Sequence, residues 1–283
     1  TNKAVDNDHD IDTPAATTAN STTFALDCNV CVCSATLGVL KKSIDIAQNR
    51  NNNNLDDVVE NDTVGCITFH PPLPERRCIA IRRIGFGLLN KIVFIFPPTT
   101  KPFYPDDLGQ FAICHRDPSK IKSFVDFTEE YGQTTDKPSG GHKSNGQPNI
   151  PKTKTPVLIQ FLAGDVADRI DHDPTDQSMP LPPLSDEEAV NESLEALRTV
   201  FGHDRVPDPI ATKVTRWRTD TFSRGSYSFT KVGSSSDDYD EIASPIGNLM
   251  WCGEHTSKHR HSTVHGTYRT SFGHDGEGPK RKK

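Results

Sequence analysis

The strongest constraint on this chain is the placement of its apolar residues, which gather in a few short blocks separated by long polar stretches. Residues 91–96 (KIVFIF) and 157–163 (VLIQFLA) are apolar runs of strand length, and both read as buried strands. Only 33% of the 283 residues are hydrophobic and 21 are Pro, so a core forms only if these blocks come together. The stretches rich in Asn, Asp, Thr and Ser between them read as inserts.

Residues 1–22 are polar, low in complexity and expected to be disordered. Residues 24–35 (FALDCNVCVCSA) read as a strand with Val30 and Val32 on one face and Cys31 and Cys33 on the other. A short helical turn over 37–42 follows, then a low-complexity insertion over 49–54. Residues 67–70 are strand-like and are broken by Pro71, Pro72 and Pro74. Pro74 suits the first turn of a helix carrying Cys78, Ile81 and Ile84, with Gly85 and Gly87 ending it. Weaker strands are expected at 111–114 and 124–127, and a surface insertion at 131–155.

The best helical signal runs from 185 to 201. Ser185 and Glu188 form a capping box, Val190, Leu194, Leu197 and Phe201 share one face, and Gly202 closes it. Strands are expected at 213–217 and 249–252, ahead of a polar, basic tail over 273–283. The order mixes α and β without the regular alternation of a doubly wound sheet, and no internal repeat is present.

A net charge of −6 provides no general footprint for nucleic acid, and no stretch approaches the roughly 18 apolar residues that cross a bilayer. Seven Cys without a disulfide-like spacing fit a reducing compartment. The chain opens on Thr1 rather than Met, as expected for a fragment or a processed product.

Several local patterns invite chemistry. Gly85-Phe-Gly87 resembles a phosphate-binding turn, but Asn90 stands where a third glycine belongs, and a helix precedes it where a strand should. Cys28, Cys31 and Cys33 have no second paired set to make a zinc site and read as small buried hydrophobes. His255, His259, His261 and His265 are dense, but only Glu254 stands near to complete a ligand set, so no metal is expected. Arg76-Arg77 and Arg82-Arg83 read first as a solvated helix face. Lys280–Lys283 reads either as a nuclear localisation patch or as an inert tail.

Three groups of segments together carry a family resemblance. They are Thr36-Leu-Gly-Val-Leu-Lys41 with Pro71-Pro-Leu-Pro-Glu75 and Ile84-Gly-Phe-Gly-Leu-Leu-Asn-Lys91; Trp217-Arg-Thr-Asp220 with Arg224-Gly-Ser-Tyr-Ser-Phe229 and Gly233-Ser-Ser-Ser-Asp-Asp-Tyr-Asp240; and Gly253-Glu-His-Thr256 with Thr263-Val-His-Gly266. In order and spacing they resemble the C-terminal half of the flavin-containing amine oxidases, most of all the lysine-specific histone demethylases and polyamine oxidases. The resemblance covers residues 24–272 apart from the inserts. It implies an α/β fold with α and β mixed: a Rossmann-like FAD-binding domain, incomplete here, beside a mixed-sheet substrate domain. Residues 24–45 and 246–272 would belong to the flavin domain and most of 67–230 to the substrate domain.

The implied cofactor is FAD and the implied reaction is oxidation of an amine, with O2 as electron acceptor. The substrate would be a methylated lysine peptide or a polyamine, and a nuclear site within a chromatin complex would follow from the former, a cytoplasmic one otherwise. By resemblance, Glu254 would hold a hydroxyl of the ribose or ribityl chain, and Gly253 would present backbone to the cofactor. Thr263 and Val264 would lie against the flavin ring, Ser34 and Ala35 would form a strand end touching it, and Ser226 and Thr267 would join the cofactor contacts. Trp217, Phe222 and Tyr227 would surround ring and amine. Tyr227 and Thr263 would act in catalysis. So would Arg77, which stands at the position matched to the family's lysine; arginine stays protonated and is no substitute for a tunable amine. No glycine-rich phosphate turn is present in the sequence.

Overall fold

The computed structural model describes residues 25–51, 63–101, 103–105, 109–116, 121–128, 155–172 and 182–272. The expected disorder at 1–22, the insertion at 131–155 apart from Thr155, and the basic tail at 273–283 lie outside the described residues.

Alternation of side chains builds the larger sheet. In β3 (Asn90–Ile95), Asn90, Ile92 and Phe94 are buried while Lys91, Val93 and Ile95 turn to the other face. β3 pairs antiparallel with β6 (Val157–Leu162) and with β7 (Ala211–Val214). β4 (Gln110–Ile113) and β5 (Lys122–Asp126) complete a five-stranded sheet in the order β4-β5-β6-β3-β7. Every described pairing in it is antiparallel, and β3 sits between β6 and β7, two strands that follow it far along the chain.

Two helices serve this sheet. In α4 (Asp186–Phe201) the capping box is complete, with Ser185 Oγ accepting from Glu188 N and Glu188 Oε2 accepting from Ser185 N. Its Ala189, Leu194 and Leu197 share a core with Ile92, Phe94, Phe96 and Leu158. Each such leucine contributes about 1.5–3 kcal/mol through burial. The short helix α3 (Gly164–Ile170) adds Ala167 and Ile170 and delivers Asp171, fully buried, to the end of the sheet.

A second core lies around the parallel pair β1 (Cys31–Cys33) and β9 (Leu249–Trp251). Leu37, Leu40 and Ile44 of α1 (Leu37–Asn51) meet Ala80 and Ile81 of α2 (Glu75–Arg83). Tyr239 and Ile242 of α5 (Ser236–Ala243) and Trp251 of β9 complete it. Lys41 Nζ donates to the carbonyls of Ile81 (2.6 Å) and Arg82 (3.1 Å), satisfying the open end of α2. Although α2 falls within 67–230, it packs in this second core.

The structure corrects several sequence expectations. Gly85–Gly87 does not end a helix: α2 stops at Arg83 and these residues are β2, paired antiparallel with β8 (Tyr227–Phe229). The ring of Phe229 lies over Gly85 so closely that a Cβ there would meet it at 2.5–2.7 Å. The turn expected at 37–42 is a helix to Asn51, because Leu37, Leu40 and Ile44 continue one buried stripe. The strand expected over 24–35 narrows to Cys31–Cys33, the residues that register with β9. Cys28 and Cys31 are exposed rather than buried, since the one described partner of β1 leaves much of its surface open. Residues 67–70 pair with no strand among the described residues. The strand expected at 213–217 is Ala211–Val214, because the chain beyond turns to side-chain acceptors.

Candidate active site

The two cores meet at a cavity of about 450 Å³, within the range that holds a small-molecule ligand. Five parts of the chain line it. The end of β1 supplies Ser34 and Thr36, and the β2–β8 ribbon supplies Phe86, Gly225, Ser226 and Tyr227. The entry to β3 brings Leu89 and Lys91, and the segment before β8 brings Trp217 and Ser223. Opposite them stand Gly253, Glu254, His255, Ser262 and Thr267.

Lys91 reaches the cavity because it alternates with Asn90 and Ile92, which face the large core. Its ammonium lies 5.6 Å from the Phe161 ring centre and 5.9 Å from that of Trp217. Burial lowers its pKa, because desolvation disfavours the charged form. An amine so placed exchanges a proton more readily than a surface lysine.

Glu254 begins a short 3₁₀ turn after β9. Its carboxylate accepts from Ser228 N (3.0 Å), Ser228 Oγ (2.6 Å) and Ser262 N (2.6 Å). Ser262 Oγ also donates to the Ser228 carbonyl, which locks the turn to β8. Three donors leave room at a carboxylate, which offers about four acceptor sites, for one more hydroxyl.

Gly253 sits at φ 131°, and a Cβ there would come within 2.7 Å of the His255 ring. His255 therefore tucks under a residue that only glycine fits. Its imidazole is buried, and desolvation pushes its pKa down to about 4 against the pull of Glu254. Thr270 of α6 (Val264–Phe272) fixes the same turn, accepting from Gly253 N (3.1 Å) and donating to Gly253 O (3.2 Å). Ser226 Oγ accepts from Leu89 N (2.9 Å), tying the ribbon to the start of β3.

Of the residues expected from sequence, Ser34, Trp217, Ser226, Tyr227, Gly253, Glu254 and Thr267 come together in this lining. Five do not. Phe222 (69% exposed) and Val264 (88% exposed) point to solvent, and Ala35 packs on the second core. Thr263 caps α6, its Oγ1 accepting from Gly266 N (3.1 Å) and donating to Arg260 O (2.6 Å).

Arg77 is the main correction. It lies on the buried face of α2 and donates to Ile242 O (3.0 Å) and Ser244 O (2.5 Å) at the end of α5. Its guanidinium sits 5.0 Å from the Trp251 ring centre and its Nε 3.6 Å from Glu241 Oε1. It is a structural clamp, and the lysine in the cavity is Lys91, so no arginine replaces an amine there. The sequence signal was available: Lys91 closes the motif that begins at Ile84, and strand alternation separates it from the core-facing residues. His255 and Phe86 were also missed, although both lie within recognised motifs.

Among the described residues no group of three or more His, Cys, Asp or Glu could hold a metal ion, and no helix is long and apolar enough to cross a membrane. A half-buried amine, three aromatic side chains and a set of polar groups thus share one cavity. The chain belongs to the flavin-containing amine oxidoreductase family, whose model matches residues 3–272.

Histone demethylase-like protein A of Aspergillus fumigatus is 36% identical over 202 residues, covering 71% of this chain and 17% of that protein. Lysine-specific histone demethylase 1 homolog 1 of Arabidopsis thaliana is 32% identical over 246 residues, covering 85% of this chain and 22% of that protein. The chain thus spans about a fifth of these relatives' lengths. In fold it is similar to a redesigned putrescine oxidase (TM-score 0.54, 15% identity, 85% of this chain and 40% of that one). It is also similar to cyclohexylamine oxidase from Brevibacterium oxydans (TM-score 0.50, 16% identity, 84% and 40%). The expected mixed α and β architecture is that of the family, and the family's cofactor is FAD. The lining fits part of such a cofactor: Phe86, Trp217 and Tyr227 offer ring faces, and Glu254 keeps an open acceptor site.

Proposed function

We propose that this chain forms the amine-facing wall of an FAD-dependent amine oxidase site and that the substrate is a methylated lysine in a histone tail. The observation that carries the oxidase reading is Lys91, a half-buried amine of lowered pKa set against Trp217 in the same cavity as Glu254. FAD would supply the acceptor for a hydride, that is one proton with two electrons, from the carbon beside the amine, with O2 as final acceptor of the two electrons and hydrogen peroxide as by-product.

The protein's own residues prepare the site for that chemistry. Lys91 in its neutral form takes a proton from a water or from the substrate ammonium, so that the reacting nitrogen keeps its lone pair. Trp217, Tyr227 and Phe86 exclude bulk water and favour an alkylated amine over a hydrated cation. Glu254 holds a cofactor hydroxyl, with Ser34, Ser226, Gly253 and Thr267 beside it. Arg77, Ala35, Phe222, Thr263 and Val264 carry no role in this proposal.

Relatives at 32–36% identity that bear histone demethylase names support methyl-lysine as the substrate, and with it a nuclear location and a chromatin-associated complex. The likeness to putrescine oxidase concerns fold alone, so a polyamine substrate is an outcome of the test.

The test is the visible absorbance spectrum of the purified full-length protein under anaerobic conditions. Flavin bands that bleach on adding a dimethyl-lysine histone-tail peptide are the expected result. Bleaching by spermine alone would move the substrate to polyamines. A folded, colourless protein that takes up no added FAD would refute the oxidase proposal and leave a non-catalytic interaction module.

A further inference from the structure

A buried polar pair lies outside the cavity lining. Asn90, adjacent to Lys91, is fully buried, as is Asp171 at the end of α3. Asn90 Nδ2 donates to Asp171 Oδ2 (3.1 Å). Both side chains also bind residues 215–219, the segment that carries Trp217. Asn90 Oδ1 accepts from Trp217 N (3.1 Å) and Thr215 Oγ1 (3.3 Å). Asp171 accepts from Arg218 N (2.6 Å), Thr219 N (3.1 Å) and Thr219 Oγ1 (2.8 Å).

These contacts replace the strand ladder where β7 ends. Thr215 still pairs with Lys91, accepting from Lys91 N at its Oγ1 (2.8 Å) and donating its own N–H to Lys91 O (3.0 Å). Beyond it, successive N–H groups from Trp217 to Thr219 turn to the buried amide and carboxylate instead of to a strand. The Asp171 carboxylate then has four donors, which fills its acceptor capacity. A buried network in which the carboxylate is saturated holds one geometry and resists drift.

We propose that Asn90 and Asp171 are positioning residues for the cavity: by gripping residues 215–219 from the core side, they hold the Trp217 indole against the Lys91 amine. This assignment rests on the amine-oxidase proposal for its catalytic consequence, but the placement of Trp217 is independent of any cofactor. Neither residue touches the cavity, so each acts through Trp217 and the start of β3. Displacing a positioning contact by about 1 Å is enough to cost on the order of 100-fold in rate.

The experiment compares the full-length protein with Asp171→Asn and with Thr219→Val. The first puts a donor among donors; the second removes only the hydroxyl bond at an exposed position. Two-dimensional NMR of the tryptophan indole N–H groups, in a protein labelled only at tryptophan, reads the position of Trp217 with no flavin chemistry involved. The Trp217 resonance, assigned with Trp217→Phe, is expected to shift or broaden in both variants, more in Asp171→Asn. Anaerobic flavin bleaching is expected to slow by roughly 10- to 100-fold in Asp171→Asn, with substrate affinity little changed and the acid limb of the pH profile displaced. If Asp171→Asn does not fold, Thr219→Val decides alone. Folded variants that keep the parent's Trp217 resonance would overturn the proposal. A parent protein that neither binds FAD nor oxidises amines would refute the oxidase proposal, while a shifted Trp217 resonance would still support the positioning role.

Discussion

Replacing Arg77 by alanine separates the structural role found here from the catalytic one expected by resemblance. The guanidinium is 1% exposed, and its loss leaves the Ile242 and Ser244 carbonyls without their donor beneath an undercut Trp251 ring, while Glu241 keeps its pairing with Arg76 (3.1 Å). Each charge-assisted hydrogen bond contributes about 1.5–3 kcal/mol. Losing the two bonds to carbonyls therefore costs about 3–5 kcal/mol, and the Glu241 contact, 3.6 Å away at a carboxylate 24% exposed, adds little. For a domain of about 150–250 residues, a loss of that size lowers Tm by roughly 6–20 °C. Arg77→Lys should recover part of the loss, since it restores charge but not the fork that spans two carbonyls. The assay is thermal or urea unfolding of the full-length protein, followed below the transition by anaerobic flavin bleaching. The expected result is a large fall in stability with bleaching at the parent's rate in whatever remains folded. A variant with unchanged Tm and abolished bleaching would refute the reasoning and return Arg77 to the active site.

Three further outcomes are expected. Lys91→Met should fold normally yet slow flavin bleaching by about 10²–10⁴-fold, the usual contribution of a positioned acid–base group, measured by stopped-flow absorbance; bleaching within a factor of three of the parent would remove Lys91 from the mechanism. His255 ties stability to pH: below pH 6.5 the unfolded chain takes up a proton that the buried ring refuses until about pH 4. Its contribution is therefore complete above 6.5 and declines as pH falls toward 4. His255→Gln should flatten Tm against pH in that window, and an unchanged slope would contradict the buried neutral ring. Gly253→Ala forces a side chain to φ 131° and into the His255 ring, so a loss of about 1–3 kcal/mol in urea unfolding is expected, with no loss meaning that the turn relaxes freely.

The sequence by itself determined the elements whose signals are local. The α4 capping box at Ser185 and Glu188 and its apolar stripe could be read directly, as could the runs that became β3 and β6. The motifs also identified the family, and with their flanks seven of the residues that line the cavity, because order and spacing survive in a linear chain. Tertiary structure decided what depends on partners far along the chain. Gly85–Gly87 resembles a helix stop until β8, some 140 residues later, supplies its ladder and the ring of Phe229 covers it. Arg77 and Lys91 both follow the same Pro-Leu-Pro-Glu motif, and their charge alone does not distinguish them. Arg77 is held by carbonyls at the end of α5, whereas strand alternation turns Lys91 toward Trp217. A side chain's role follows from what surrounds it, and at this site those surroundings come from five separate parts of the chain.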